Sequence, residues 1–180
     1  EWHQYGRNQN LDKCAVPEKI IVGVNSNGNK YAIDCSGVLI SSGGTAGYCM
    51  ITIPDNLQYS THYLQALLNS KYSEWVASLY GEVFRGGYIA RGTKVLKNLP
   101  IIEIDFEVEQ SKKHHDDISD TQKKIIEEFT KMDKNKLNPR VFKTSERIYK
   151  KLVKDMDVLL KELYNLGDED ELIPIISEVY

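Results

Sequence analysis

The sequence predicts an α+β fold: a small mixed or antiparallel sheet with packed helices, followed by a helical region of hairpin or coiled-coil type. Three observations carry that prediction. Short runs rich in Val, Ile and Tyr, broken by turn residues, fill the first 110 residues. Apolar residues recur at helical spacing between positions 60 and 80. Beyond residue 110 glycine occurs once, at Gly167, and charge density climbs. The composition shift divides the chain into a part spanning 1–110 and a helical spacer or packing part spanning 111–180.

Taken in order, KIIVGV (19–24), KYAIDC (30–35) and GYCMITI (47–53) read as strands, with NSNGN between the first two as a turn. STHYLQALLNSKYSEWVASLY (60–80) reads as one helix. Its apolar side is Tyr63, Leu64, Leu67 and Leu68, then Trp75, Val76 and Leu79. IIEIDFEVE (101–109) alternates, with Ile102, Ile104, Phe106 and Val108 on one side. Glu103, Asp105, Glu107 and Glu109 fall on the other, the pattern of a half-buried strand. Ser119 with Gln122 fits a capping box that opens a helix carrying Ile125, Phe129 and Met132. KNKLNP is a break, and Pro139 suits a first helical turn. From Ser145 a last helix is expected to run to about Leu166. Leu152, Met156, Leu159, Leu163 and Leu166 step by 4, 3, 4 and 3 along it, and Gly167 is its stop.

A chain of 180 residues is one domain, or one domain with an appendage, and large enough for a core without staples. The formal charge of −3 excludes a globally basic binder. It conceals a local excess: residues 83–102 hold Arg85, Arg91, Lys94 and Lys97 and no acid. Three cysteines without a C-x-x-C pair argue against a disulfide framework or a zinc site, and fit a reducing, cytoplasmic setting. No apolar run approaches a membrane span, and no signal peptide is visible.

Catalytic patterns are weak. SSGGTAG (41–47) lacks the Lys-Ser/Thr ending of a P-loop and the spacing of a dinucleotide fold. The carboxylate row at 103–109 reads as a solvated face, and no Glu-x-Lys occurs for a nuclease centre. His114 and His115, followed by Asp116 and Asp117, fall in a polar connector, and no metal site is assigned to them. No Ser/His/Asp or Cys/His set stands out. The chemistry on offer is that of polyanion contact: arginine forks, lysines, and glycines that let backbone N–H groups approach phosphate.

Four stretches add a resemblance. In order and spacing, YGRNQNLDK (5–13), SSGGTAGY (41–48), LQALLNSKYSEW (64–75) and FRGGYIARGTKVLKNLPI (84–101) resemble the TaqI-like specificity domain. That domain is the target-recognition region of type IIG restriction-and-methylation enzymes and related adenine-specific DNA methyltransferases. The helices that follow, ending near Leu163-Tyr164-Asn165-Leu166, are similar to those of the family. The resemblance implies contact with double-stranded DNA through Arg7, Asn8, Gln9, Ser41, Ser42, Gly43, Gly44, Thr45, Arg85, Gly86, Gly87, Tyr88, Arg91, Lys94 and Lys97. Family members that read different DNA sites share these motifs, so they suit scaffold and phosphate contact. Base readers are expected beside them: Asn25, Asn27, Asn29, Lys30, Ser41, Arg91, Thr93 and Lys94.

The family's Asn-Pro-Pro-Tyr motif and a cofactor-binding glycine motif do not occur in this sequence. The expectation is a C-terminal fragment without a catalytic centre, working with upstream methyltransferase and nuclease domains. S-adenosylmethionine and Mg²⁺ would belong to that parent enzyme and no cofactor to the fragment. Two alternatives stand beside this reading. One is a protein–protein interaction module using the C-terminal helices, the other half of a type I specificity subunit.

Overall fold

The computed structural model describes residues 16–28, 30–38 and 47–167. The fold is α+β, with small antiparallel sheets, packed helices and a long helical C-terminal region. Strands β1 (Lys19–Gly23), β3 (Tyr31–Asp34) and β4 (Tyr48–Ile51) form one sheet in the order β3-β1-β4. Ile20 of the central strand faces Ile33 on one side and Ile51 on the other. The second sheet joins β2 (Asn25–Ser26), β6 (Tyr88–Ala90) and β5 (Val83–Phe84) in the order β2-β6-β5. Helices α1 (Thr61–Leu68), α2 (Lys71–Tyr80) and the single turn α3 (Thr93–Leu96) pack around them. Helices α4 (Glu109–Lys134) and α5 (Pro139–Leu163) complete the chain.

Two apolar clusters share α1. Leu68 packs with Ile20 and Val22 of β1, Ala77 of α2, Val95 and Leu99. Tyr63 and Leu67 pack with Ile104, Ile118, Met156 and Leu160. The helices after residue 110 therefore share a core with the part before it. Ile118 meets Met156 and Leu160 in one cluster, and the Phe129 ring lies 6.2 Å from that of Tyr149. These pairings make α4 and α5 an antiparallel hairpin, turned at residues 135–138.

Residues 60–80 form two helices, not one. The break has a physical cause in Asn69 and Ser70. The Asn69 side chain accepts from the Tyr31 N–H (3.1 Å) and donates to the Tyr31 carbonyl (2.9 Å). It thus pairs with the edge of β3 much as a strand residue would. Ser70 then caps α2, accepting from the Ser73 N–H (3.2 Å).

The strand expected at 101–109 is also absent. Ile104 is buried and Glu103 and Asp105 are exposed, so the alternation is real, but no neighbouring strand lies alongside among the described residues. Tyrosines replace it. The Ile104 N–H donates to Tyr59 Oη (2.9 Å). Tyr63 Oη donates to the Ile102 carbonyl (3.0 Å), and Tyr164 Oη to that of Pro100 (2.6 Å). Burial pushes the Tyr63 and Tyr164 hydroxyls well above the ordinary phenol range.

Helix α4 begins at Glu109, ten residues before the expected capping box. Ser119 instead donates to the His115 carbonyl (2.7 Å), inside the helix. Gln122 Nε2 reaches Gln65 Oε1 (2.9 Å), and Gln65 Nε2 reaches the Tyr31 carbonyl (2.9 Å). This amide relay ties α4 through α1 to β3. Helix α5 starts at Pro139, with Asn138 as its cap, and not at Ser145. It ends before Asn165, which adopts a left-handed φ of 51°, and so stops short of Gly167.

At one end of the first sheet, Lys19 is buried with its Nζ 2.8 Å from Asp34 Oδ2. The Asp34 carboxylate also accepts from the Ser36 hydroxyl (2.5 Å) and from the N–H groups of Ser36 and Val38 (both 3.0 Å). The Lys19 bond, followed by those from Ser36, holds the Asp34 carboxyl well below the usual carboxylate range. A depressed folded pKa adds stability above the unfolded value of about 3.9, and that stability fades as pH falls toward the folded value. Urea unfolding at stepped pH is expected to show stability falling below about pH 4, and Asp34→Asn is expected to remove that component of the slope.

Candidate nucleic-acid interface

The second sheet builds an exposed hairpin. Phe84 faces Tyr88 across β5 and β6, and residues 85–87 close the loop. Gly86 (φ 87°) and Gly87 (φ 75°) are both left-handed, the conformation that glycine adopts without steric cost. Arg85 sits at the exposed tip, between Phe84 (47% exposed) and Tyr88 (48% exposed). The hairpin is braced from outside: Asn27 Nδ2 donates to the Gly86 carbonyl (3.0 Å). Asn25 pairs with Ala90 and Ser26 with Ile89. The NSNG turn and the FRGGY hairpin are therefore neighbours on one surface. Its root is tight, because a Cβ on Gly81 would lie 2.5 Å from Ile89 Cγ2 and 2.8 Å from the Ala77 carbonyl. No side chain fits there.

Arg91 departs from the expectation of a surface contact. It is 0% exposed. Its Nη2 donates to both Glu74 oxygens (2.8 and 2.6 Å), and its Nε to Ser26 Oγ (2.7 Å). The guanidinium links the end of β6 to β2 and to α2, and it is sealed from any ligand. Nearby, burial pushes the Tyr31 hydroxyl up to about 12, against the pull of the Arg91 charge. Glu74 lies 17 residues upstream in a different element, so the sequence offers no sign of the pairing.

Beyond Arg91 the chain turns into α3, seated by buried Val95 and Leu99. Thr93 and Lys94 are exposed on it, and Lys97 is exposed at its C-cap. Among the described residues, Arg85, Lys94 and Lys97 enter no ion pair. Gly86, Gly87 and Tyr88 lie in the hairpin, so these six of the expected contact residues occupy a segment whose path Arg91 and Leu99 hold. Arg7, Asn8, Gln9, Asn29, Ser41, Ser42, Gly43, Gly44 and Thr45 lie outside the described residues. Asn27 emerges as a brace for the hairpin, a role the sequence does not reveal.

His115 is not in a connector but buried in α4. Its Nε2 accepts from the Ser60 N–H (2.9 Å), which leaves the proton on Nδ1 to reach Asp116 Oδ1 (2.9 Å). The imidazole is a strut at the start of α1. Glu103, Asp105, Glu107 and Glu109 are exposed, as a solvated face requires. Among the described residues, no group of three or more His, Cys, Asp or Glu lies placed to hold a metal ion, and no helix is long and apolar enough to cross a membrane.

Comparison with known proteins gives a relative for the whole chain. All 180 residues align, at 46% identity, with the "Type II restriction enzyme and methyltransferase RM.Eco57I" of Escherichia coli. The chain is homologous to part of a type II restriction–modification enzyme. It covers 18% of that relative's length, in its C-terminal part. An 86-residue stretch, 47% of the chain, is 33% identical to the "Type II methyltransferase M.HincII" of Haemophilus influenzae and covers 17% of it. "Type II methyltransferase M.HindII" of Haemophilus influenzae aligns over the same length at the same identity, covering 16% of that protein. No family model matches, and no solved structure matches.

The geometry separates Arg91 from Arg85 in a measurable way. Arg91 is buried while Glu74 is partly exposed, so Arg91→Met costs the guanidinium's hydrogen bonds and packing but leaves a carboxylate that water can reach, and is expected to lower unfolding free energy by about 1–3 kcal/mol. Arg85→Ala, at an exposed tip, is expected to change it by less than about 0.5 kcal/mol. Chemical denaturation of the two variants checks both values.

Proposed function

We propose that this chain is the DNA target-recognition part of a type II restriction–modification enzyme of the type IIG kind, and that it grips duplex DNA with its β5–β6 hairpin and α3. What carries the reading is one observation. Arg85, Lys94 and Lys97 are exposed and outside any ion pair among the described residues, beside exposed Phe84 and Tyr88, on backbone that Asn27, Gly81 and Arg91 hold in place. Cations of this kind on a rigid support are what phosphate contact requires, because neither a competing carboxylate nor loop ordering has to be overcome. The left-handed glycines at the tip would let backbone N–H groups approach a phosphate. Tyr88 would stack on a sugar or base, and exposed Asn25, Lys30 and Thr93 are the candidates for base-edge readout.

The relatives support the setting. One is named both a restriction enzyme and a methyltransferase, and the others methyltransferases, each several times the length of the matched stretch. Cleavage and methylation, with S-adenosylmethionine and Mg²⁺, are assigned in this reading to other domains of the parent chain. Double-stranded DNA and those domains are the partners of this one. The interaction-module reading loses its main support, because Met156 of the heptad-like stripe is buried within this chain and Leu159, Leu163 and Leu166 pack against the same cluster. The relatives' names speak of type II enzymes, which leaves a type I subunit without a supporting observation.

Fluorescence anisotropy with a labelled duplex over a salt series tests the proposal. Each phosphate that the protein ceases to neutralise flattens the slope of log affinity against log salt by about 0.9. Arg85→Ala combined with Lys94→Ala is expected to weaken binding and to flatten that slope by about 1.8. Unchanged affinity and slope in the double variant would sink the assignment.

A further inference from the structure

The α4–α5 hairpin has two unlike halves. Near the body, Ile118, Met156 and Leu160 are buried in the shared core. Away from it, no described residue between 126 and 155 belongs to either apolar cluster. That half is an arm, and its α5 side carries Arg140, Lys143, Arg147, Lys150, Lys151 and Lys154. At 3.6 residues per turn these six fall within about 100° of the helix circumference, over a length of roughly 21 Å. All six are exposed. Five of them share one open stretch of surface with Glu146, the one acid between 140 and 154.

The arm keeps these charges largely uncompensated. Among the described residues, Lys150 alone of the six has an ion-pair partner, Glu146 at 2.7 Å. Three acids of α4 are engaged with cations of their own element or its turn, Asp120 with Lys123, Glu128 with Lys131 and Asp133 with Lys136, and the charge of Glu127 acts on Lys131 of the same helix. Past Lys154 the sequence changes character, with Asp155, Asp157 and Glu162 following. A chain of net charge −3 thus concentrates six cations and one acid on one side of half a helix. Mutual repulsion among like charges one turn apart is destabilising in the free protein. A polyanion relieves it.

We infer that the α5 stripe is a second DNA contact, which lies along the phosphate backbone of the duplex beside the segment held by the β5–β6 hairpin. The inference rests on the proposed DNA-binding reading and extends its footprint. A straight cationic rod without glycine or aromatic residues at its face suits backbone contact and carries no base-edge geometry, so it supplies affinity without sequence preference.

The test uses the whole chain, duplex anisotropy and a salt series. Lys143→Gln, Arg147→Gln and Lys151→Gln together are expected to flatten the salt slope by about 0.9 for each phosphate no longer neutralised. The weakening is expected to be equal on unrelated duplexes, with helical circular dichroism unchanged. Lys123→Gln, Lys131→Gln and Lys136→Gln remove the same charge from already paired positions and are expected to leave the slope near that of the unaltered chain. Equal effects of the two triple variants, or no effect of the α5 triple variant, would overturn the inference. If Arg85→Ala with Lys94→Ala still weakens binding in that case, the hairpin assignment survives alone. If the unaltered chain binds no duplex, both readings fall.

Discussion

The pair between buried Arg91 and partly exposed Glu74 is the constraint on which the proposed DNA-facing side depends. Three segments distant in sequence converge on this guanidinium: Ser26 in β2, Glu74 in α2, and the end of the β6 strand, where Arg91 itself follows. An arginine suits the position because its planar fork can donate in several directions at once, where a lysine ammonium would offer a single point of charge. Burying it has a desolvation cost, offset only while the carboxylate stays in reach. Immediately before Arg91 the chain is the exposed hairpin, and two residues after it begins α3. One interior cation therefore sets the placement of the exterior ones.

The sheets are too small to hold the helices by strand pairing, and side chains take over that work. Asn69 extends β3 by pairing with both polar groups of Tyr31. Gln65 and Gln122 carry the connection on to α4. Tyr59, Tyr63 and Tyr164 satisfy a stretch of extended backbone that has no described strand beside it. Each such bond contributes about 1 kcal/mol net, but removing one partner leaves a buried group unsatisfied at about 1–3 kcal/mol. The arrangement favours rigidity in the region between the hairpin and the helical arm.

What the sequence reveals, and what it hides, follows from the range of the interactions concerned. Strands β1, β3 and β4 are legible because their β-branched runs and flanking turns are local signals. The break at Asn69 is not, since the partner that terminates the helix is 38 residues away. Residues 101–109 alternate because one side is buried, and alternation alone cannot tell a strand from an extended segment capped by tyrosines. Ser119 and Gln122 have capping-box spacing, yet both are drawn into the interior by partners that the local pattern does not show. Among the cations at 85, 91, 94 and 97, composition treats all four alike, and tertiary burial separates the second. The stripe on α5 follows plain helical spacing, but it begins at Arg140, ahead of the expected helix start at Ser145.

Structure and relatives together support a division of labour: a welded α+β body that aims a small cationic hairpin, and a helical arm rooted in the same core. The most direct measurement of whether the hairpin side meets DNA is amide chemical-shift mapping of the isotopically labelled chain during titration with a duplex. The account predicts that the largest changes cluster at 84–88 and 93–97, while the amides of buried Ile20 and Val22 stay still. A duplex that binds without moving the amides of Arg85 to Tyr88 would contradict it.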